Sequence, residues 1–170
     1  VAVGAYALDA ATTDDYCTAI GYQALSGVTG DNNNHNTAVG YNSGLYVSSG
    51  VRNTFVGSLS GQGVSSPTTS GNENTAIGYS SGLVLQGAAV GNTFTGSTSG
   101  TAVTTGQYNT LVGFQCGDSL TTMTHNTAMG ADALSGSSLV DQCIIIGSQA
   151  GAGSITAAAD GTVAIGYSAL

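Results

Sequence analysis

A short sequence motif, a small apolar triplet followed by Gly, recurs along the whole 170-residue chain, for example in HNTAVG, RNTFVG, ENTAIG and HNTAMG. A repeat of this length without helical periodicity is typical of a solenoid in which each copy forms one coil. We therefore predict an all-β parallel β-solenoid of about ten coils, with residues 1–170 forming a single repeat region. The copies align at a nearly constant step on the closing Gly, here named the anchor: Gly4, Gly21, Gly40, Gly57, Gly78, Gly96, Gly113, Gly130, Gly147 and Gly166.

The composition excludes several classes of protein. Charged residues are only 6% of the chain, against about 25% in ordinary domains. A net charge of −8 with one basic residue argues against nucleic-acid binding, which needs clustered Lys and Arg. No apolar run approaches the roughly 18 residues of a membrane span, so we expect no membrane insertion. Disorder is disfavoured because 41% of the residues are hydrophobic and they stand at fixed repeat positions.

Both faces of the predicted strand are apolar. Neighbouring strand positions point to opposite sides, so such a strand is expected to be covered on both. One cover is the interior of the coil, and the other is expected to be a further copy of the chain. On this interpretation Val112→Asp buries an unpaired carboxylate between stacked coils and unfolds the neighbouring coils. Thr stands three residues before the anchor in most copies, Ala, Phe, Leu or Ile two before, and mostly Val or Ile one before.

Two further columns predict the corners of the coil. Four residues before the anchor, Asn recurs, and stacked Asn side chains hydrogen-bond between parallel coils. Asn74→Ala is therefore expected to cost about 1–2 kcal/mol. Four residues after the anchor, Leu alternates with Gly behind a column of small residues, which predicts a tightly packed second corner. The Asn column consists of Asn36, Asn53, Asn74, Asn92, Asn109 and Asn126.

The words NTAIG and NTAVG resemble the head repeats of trimeric autotransporter adhesins. The fuller forms TAIGYQAL (18–25) and AIGYSAL (164–170) look like repeats of viral and phage tail-fibre proteins. The resemblance covers essentially the whole chain and implies a left-handed β-roll assembled as a homotrimer. The step between anchors is longer than the step of the familiar adhesin heads, so we expect wider coils or coils that carry loops.

The column five residues before the anchor mixes large polar groups and is predicted to form a solvent-facing stripe. The step from Gly57 to Gly78 is the longest in the chain, and it holds Pro67, the only Pro. Pro disrupts strand ladders, so we expect a loop there, and loops on rigid scaffolds often carry recognition. The alternative is plain exposed surface. The candidate contacts for a ligand, with a cell-surface glycan as the favoured class, are His35, Arg52, Pro67, Glu73 and Tyr108.

Other candidate chemistry has simpler structural explanations. Asp14 and Asp15 fit a solvated turn, and GDNNNH (30–35) lacks the cadence of calcium-binding loops. His35 and His125 lie five coils apart, about 24 Å at the spacing of parallel strands, too far to share a metal. Distance likewise excludes a disulfide between Cys17 and Cys143. We expect no catalytic residue, metal or cofactor.

Two repeated surfaces leave functional alternatives open. The aromatic column one residue after the anchor is able to stack sugars or to cover a corner of the coil, and we favour the latter. The Thr column suggests ice binding as a minor alternative, although Val or Ile stands where a second Thr row is expected. The aromatic column consists of Tyr22, Tyr41, Tyr79, Phe114 and Tyr167.

Together these features predict a structural fibre segment rather than an enzyme. The expected role is spacing and surface attachment in a virion tail fibre, at the virion surface or outside the cell. A bacterial surface adhesin or extracellular filament subunit is the main alternative. Both ends stop inside a repeat without a polar cap, so we expect the chain to continue or its copies to stack end to end. Trypsin has a single site, Arg52.

Overall fold

A computed structural model shows the chain as one parallel β-solenoid of about nine turns. It describes residues 1–11, 16–29, 35–66, 68, 70–136, 140–153, 155 and 159–170. The strands pair in chain order in a single ten-stranded sheet, which confirms the predicted fold class. They are β1 Ala2–Val3, β2 Thr18–Ile20, β3 Thr37–Val39, β4 Thr54–Val56, β5 Thr75–Ile77, β6 Thr93–Thr95, β7 Thr110–Val112, β8 Thr127–Met129, β9 Ile144–Ile146 and β10 Val163–Ile165.

The register follows the sequence repeat without a slip. Thr37 of β3 pairs with Thr54 of β4, and Thr54 pairs in turn with Thr75 of β5, although the two steps differ in length. The extra residues of the longer coils therefore lie outside the ladder. The strands are only two or three residues long, and most of the other described residues lie in turns and bends, many of which hydrogen-bond to the equivalent residues of the next coil.

The anchor Gly ends each strand and makes the first turn. Its φ lies between 128° and 143° in all ten coils, a conformation that L side chains rarely adopt. A Cβ on Gly130 would also stand 2.5 Å from the carbonyl oxygen of Gly147 in the next coil. Gly is required at the anchor for two reasons: the dihedral angle and the close approach of consecutive backbones.

The middle residue of each strand points into the coil and its two neighbours point outward. From β2 to β10 the middle residue is buried, whereas the flanking residues are half-buried or exposed. The expectation that Val112 lies between coils is therefore wrong. Val112 is half-buried on the outward side, and the interior position of that strand belongs to Leu111, which is fully buried.

The core is filled by two columns that compensate for each other in volume. Where Leu25 or Leu134 fills the interior four residues after the anchor, the strand contributes the small Ala19 or Ala128. Where that corner position is Gly61, the strand contributes Phe55, whose ring occupies the space that a Cβ on Gly61 would need. In these coils the strand residue and the corner residue thus share one interior space, which one large side chain fills.

Large side chains of one coil also fill interior volume that the small residues of an adjacent coil leave empty. The coil of β3 has both a small strand residue, Ala38, and a corner Gly, Gly44. A Cβ on Gly44 would stand 2.8 Å from Leu25 and 3.1 Å from Phe55, which belong to the coils on either side. The large side chains of adjacent coils therefore fill this coil as well, so the core is continuous along the rod.

The Asn column forms an unbroken buried ladder. Each Asn Oδ1 accepts hydrogen bonds from the backbone N–H and, except at the last rung, the side-chain amide of the residue in the next coil. Each Nδ2 also donates to a backbone carbonyl of the next coil, as from Asn74 to Ala89 at 2.9 Å. The ladder runs from Asn36 to Asn126 and then to the backbone N–H of Cys143.

The second corner is held by small donors. Ser43 and Ser60 are fully buried, and their hydroxyls donate to the carbonyl oxygens of Phe55 and Ala76 in the following coil. Cys116 occupies the same column and its thiol donates to Ala128 at 3.4 Å. Burial raises the pKa of the Cys116 thiol to about 12, with a smaller raising effect from Asp118 opposed by a hydrogen bond from Val112.

Candidate functional site: the exposed corner stripe

The stripe five residues before the anchor, here named the corner stripe, lies immediately before the Asn ladder. Its side chains project into solvent, while the Asn that follows each of them in β3 to β8 is fully buried. Every stripe residue has a left-handed backbone, with φ from 45° to 76°. The corner stripe consists of Tyr16, His35, Arg52, Glu73, Gly91, Tyr108, His125, Gln142 and Gly161.

The left-handed backbone explains why the stripe is exposed. It turns the chain sharply so that one side chain points outward and the next points inward to the ladder. Backbone bonds between coils hold most of the stripe in place, for example from the Glu73 N–H to Val51 at 3.0 Å and from the Tyr108 N–H to Val90 at 2.9 Å. Side chains on this corner are thus presented at regular intervals on a fixed backbone.

Neighbouring stripe residues interact in pairs. The ring of Tyr16 stacks on that of His35 with centroids 4.8 Å apart and planes 5° apart. Arg52 makes an ion pair with Glu73, with Nη2 2.8 Å and Nε 3.0 Å from Oε1. Both side chains are more than half exposed, so the pair is worth at most about 1 kcal/mol.

The C-terminal part of the stripe repeats the aromatic pairing. Tyr108 lies against His125 with ring centroids 5.0 Å apart and an interplanar angle of 37°. Gly91 precedes this pair, and a Cβ there would stand 2.8 Å from the ring of Tyr108. Tyr108 and His35 were predicted ligand contacts, whereas their ring partners His125 and Tyr16 were not. Adjacency in the column would have identified both Tyr16 and His125.

The structure brings three of the five predicted contacts together. His35, Arg52 and Glu73 lie in consecutive coils, and Tyr108 lies two coils beyond Glu73. Pro67 falls outside the described residues. Among the described residues of that coil, Ser65 and Ser66 are exposed, as is Thr68, whose hydroxyl lies 3.0 Å from that of Ser48. The stripe offers one cation, one carboxylate, imidazoles and phenols to a ligand.

The ring pairs limit what the aromatic side chains are able to do. Tyr16 and His35 each present one face to the other, so only the outer faces and edges are accessible. The same holds in the aromatic column after the anchor, where Tyr22 stacks on Tyr41 at 5.6 Å and meets the edge of Tyr6 at 5.7 Å. These half-exposed rings shield one another, as in a covered corner, and their hydroxyl edges remain for hydrogen bonding.

A second polar column, six residues before the anchor, was not recognised from the sequence. Side-chain oxygens there accept backbone N–H groups of the neighbouring coil: Asn72 from Val51 at 2.9 Å and Asp160 from Asp141 at 2.8 Å. Asp141 in turn accepts from Thr124. The recurrence of Asn or Asp six residues before the anchor is the sequence signal that could have revealed this column. These carboxylates are structural acceptors, and they place negative charge beside the corner stripe.

The remaining candidates from the sequence have simpler outcomes. Asp14 and Asp15 lie outside the described residues, as do residues 30–34 of the GDNNNH segment. Cys116 and Cys143 are free thiols, and all three cysteines are buried. Within the described residues, no group of three or more His, Cys, Asp or Glu side chains is placed to hold a metal ion. The same part of the chain contains no helix of the length and apolarity required to cross a bilayer.

Comparison with protein-family models, with curated proteins and with solved structures found no significant match for this chain.

Proposed function

We propose that this chain is a structural segment of a fibre, at a virion surface or outside a cell, that sets a distance and mediates surface attachment. The observation that supports it most is the continuity of the rod. One in-register sheet crosses ten strands, and one buried Asn ladder runs beside it. Repetition at this level suits a mechanical element, because each coil depends mainly on its two neighbours.

The assembled form that we propose is a homotrimer of left-handed coils, as the resemblance to adhesin heads and tail-fibre repeats implies. Tail fibre is the favoured context, and a bacterial adhesin or extracellular filament subunit is the alternative. The outward Thr column, half-buried in most coils, keeps ice binding as a minor alternative. The proposed attachment site is the corner stripe around Arg52 and Glu73, with a cell-surface glycan as the ligand class.

Rod behaviour is tested by adding one coil. Duplication of residues 97–113, one complete repeat, should lengthen the particle by about 4.8 Å in small-angle scattering without lowering its melting temperature. A matched control inserts a Gly and Ser segment of the same length after Ser66, which should leave the rod length unchanged. Equal dimensions for the two insertions would contradict the rod.

Attachment is tested separately from assembly. Deletion of residues 65–69 and the double change Arg52→Ala/Glu73→Ala should both leave the far-ultraviolet circular dichroism spectrum unchanged and reduce binding to immobilised glycans. Thr122→Ala, an exposed change elsewhere on the chain, is the control. If all variants bind as the wild type does, this segment is a spacer and the proposed attachment site is wrong.

A further inference from the structure

The outward side of the sheet is an uncharged surface that combines a Thr column with a mainly aliphatic column. We name it the strand face; it consists of the first and third residues of β2 to β9 and their equivalents in the end coils. Ile20 and Ile77 are each 40% exposed there, and Met129 is 48% exposed. Thr alone would satisfy the β-propensity of a solvent-facing strand. An added column of aliphatic residues in water is a different feature and typically marks an interaction surface.

Charge is excluded from this face along the whole rod. None of the side chains at its two outward positions in any coil is Asp, Glu, Lys or Arg, although the chain carries a net charge of −8. The acidic residues lie elsewhere, for example Asp141 and Asp160 near the corner stripe and Asp132 in the turn after β8. Two copies approaching through other faces would repel, whereas the strand face allows contact without like-charge pairs.

The periodicity of the strand face restricts which partner is able to fit along its whole length. Its outward side chains repeat once per coil, at the spacing of hydrogen-bonded parallel strands, about 4.8 Å. A partner that fits at every coil must carry the same repeat over the same length. Another solenoid of this chain satisfies that condition by construction, whereas a globular partner would match only one or two coils.

The exposed aliphatic side chains are distributed along the whole sheet. Ile20, Ile77, Met129 and Ile144, which span β2 to β9, are each between 40% and 48% exposed. Because the middle residue of each strand from β2 to β9 is already buried inside the coil, the strand face is the part of the sheet that a single chain leaves uncovered.

We infer that the strand face is the surface through which copies of this chain associate side by side. The inference rests on the proposed fibre function and specifies where its subunits meet. Association would then cover the aliphatic column coil by coil, while the corner stripe stays exposed at the outside of the assembly. Because Ile77 and Met129 are partly exposed in one chain, replacing them should disturb association far more than folding.

The test is the mass of the particle in solution. The wild type should sediment at a multiple of 16.6 kDa. Ile77→Lys/Met129→Lys should weaken association by more than about 100-fold, because each Lys would be buried without a partner. The control Gln142→Lys/Ser66→Lys makes the same charge change at exposed positions and should leave the mass unchanged. Both pairs lower the net negative charge, so increased repulsion between chains does not explain a loss confined to the first.

Circular dichroism of the dissociated variant should retain the wild-type spectrum, which separates loss of association from loss of folding. A wild type that sediments as a single chain contradicts the inference, as does an Ile77→Lys/Met129→Lys variant that keeps the wild-type mass. If the wild type is a single chain that alters ice-crystal growth, and this variant loses that effect, the strand face binds ice and the inference is wrong. A single-chain wild type would also contradict the proposed homotrimer, whereas the rod and its attachment to a glycan are tested independently by the coil duplication and the glycan assay.

Discussion

Among the corners that have a positive φ, two differ sharply in the residues they accept: the anchor accepts only Gly, and the corner stripe accepts six residue types. The anchor is Gly in all ten coils, with φ from 128° to 143°. The corner stripe contains Tyr, His, Arg, Glu, Gly and Gln with φ from 45° to 76°. The stripe dihedrals lie in the left-handed region, which L residues enter at a cost of about 1–2 kcal/mol, whereas the anchor dihedrals lie in a region that essentially only Gly occupies.

The surroundings reinforce this difference. From Gly4 to Gly147, a Cβ on the anchor would meet the carbonyl oxygen of the next anchor, a backbone atom that is fixed because it accepts the N–H three residues later in its own turn. A Cβ on the stripe points to solvent or to a neighbouring side chain. The anchor keeps one residue type because a side chain there would contact the backbone of the next coil. The stripe varies because its side chains have no such contact.

The largest effect is expected from adding a methyl group at each corner. Gly130→Ala places a Cβ 2.5 Å from the Gly147 carbonyl oxygen at a φ of 138°, and it should cost more than about 4 kcal/mol. Gly91→Ala meets only the ring of Tyr108, which is able to turn away, and should cost about 1 kcal/mol. Urea unfolding of both variants measures the difference. Equal costs would show that the two corners do not differ as described.

The next largest effect concerns the ladder beside the stripe. Asn74→Ala removes four side-chain hydrogen bonds and leaves the Asn92 N–H and the Ala89 carbonyl buried without these partners. At about 1–3 kcal/mol for each buried group left unsatisfied, we expect a loss of about 3 kcal/mol, above the 1–2 expected from sequence. Ser66→Ala, at an exposed position, is the control and should cost less than about 0.5 kcal/mol. Equal shifts in melting temperature would contradict the ladder.

An intermediate effect on stability is expected in the column of small residues at the second corner, which contains Ala, Ser and Cys. The pKa of the Cys116 thiol is raised to about 12 when folded, against 9.0 ordinarily. The folded chain therefore binds more protons than the unfolded chain between about pH 9 and 12, and its stability falls as pH rises through this window. Cys116→Ser lacks this titration, so the wild type should lose roughly 2 kcal/mol more than the variant by mid-window. Parallel pH profiles for the two proteins would contradict this burial.

The smallest effect is expected at the exposed stripe. Glu73→Gln breaks the ion pair with Arg52, and because both side chains are more than half exposed the cost should stay below about 1 kcal/mol and vanish in high salt. The Arg52→Gln background completes a double-mutant cycle. A coupling energy well above the range of exposed ion pairs would mean that the stripe, like the anchor, contributes to holding the coils together.

Sequence columns predicted the positions that contact the next coil, because a solenoid places the same residue in the same surroundings each time. Anchors, strands and the Asn ladder follow from that rule. The columns did not reveal which strand residues point inward, so Val112 was expected to lie between stacked coils, although Leu111 is the interior residue. Reciprocal filling by Phe55 and Gly61 also escaped notice, because it is a relation between two columns. Pairs such as Arg52 with Glu73 needed only adjacency within one column.

Hydrogen exchange of Asn side-chain amides tests the central claim most directly, namely that one buried ladder joins the coils. In a protein labelled with ¹⁵N at Asn, the amides of Asn53, Asn74, Asn92 and Asn109 should be strongly protected, because each is fully buried and donates to the neighbouring coils. That of the partly exposed Asn72 should exchange much faster. If all Asn side-chain amides exchange at the rate of a free side chain, the ladder does not exist in solution.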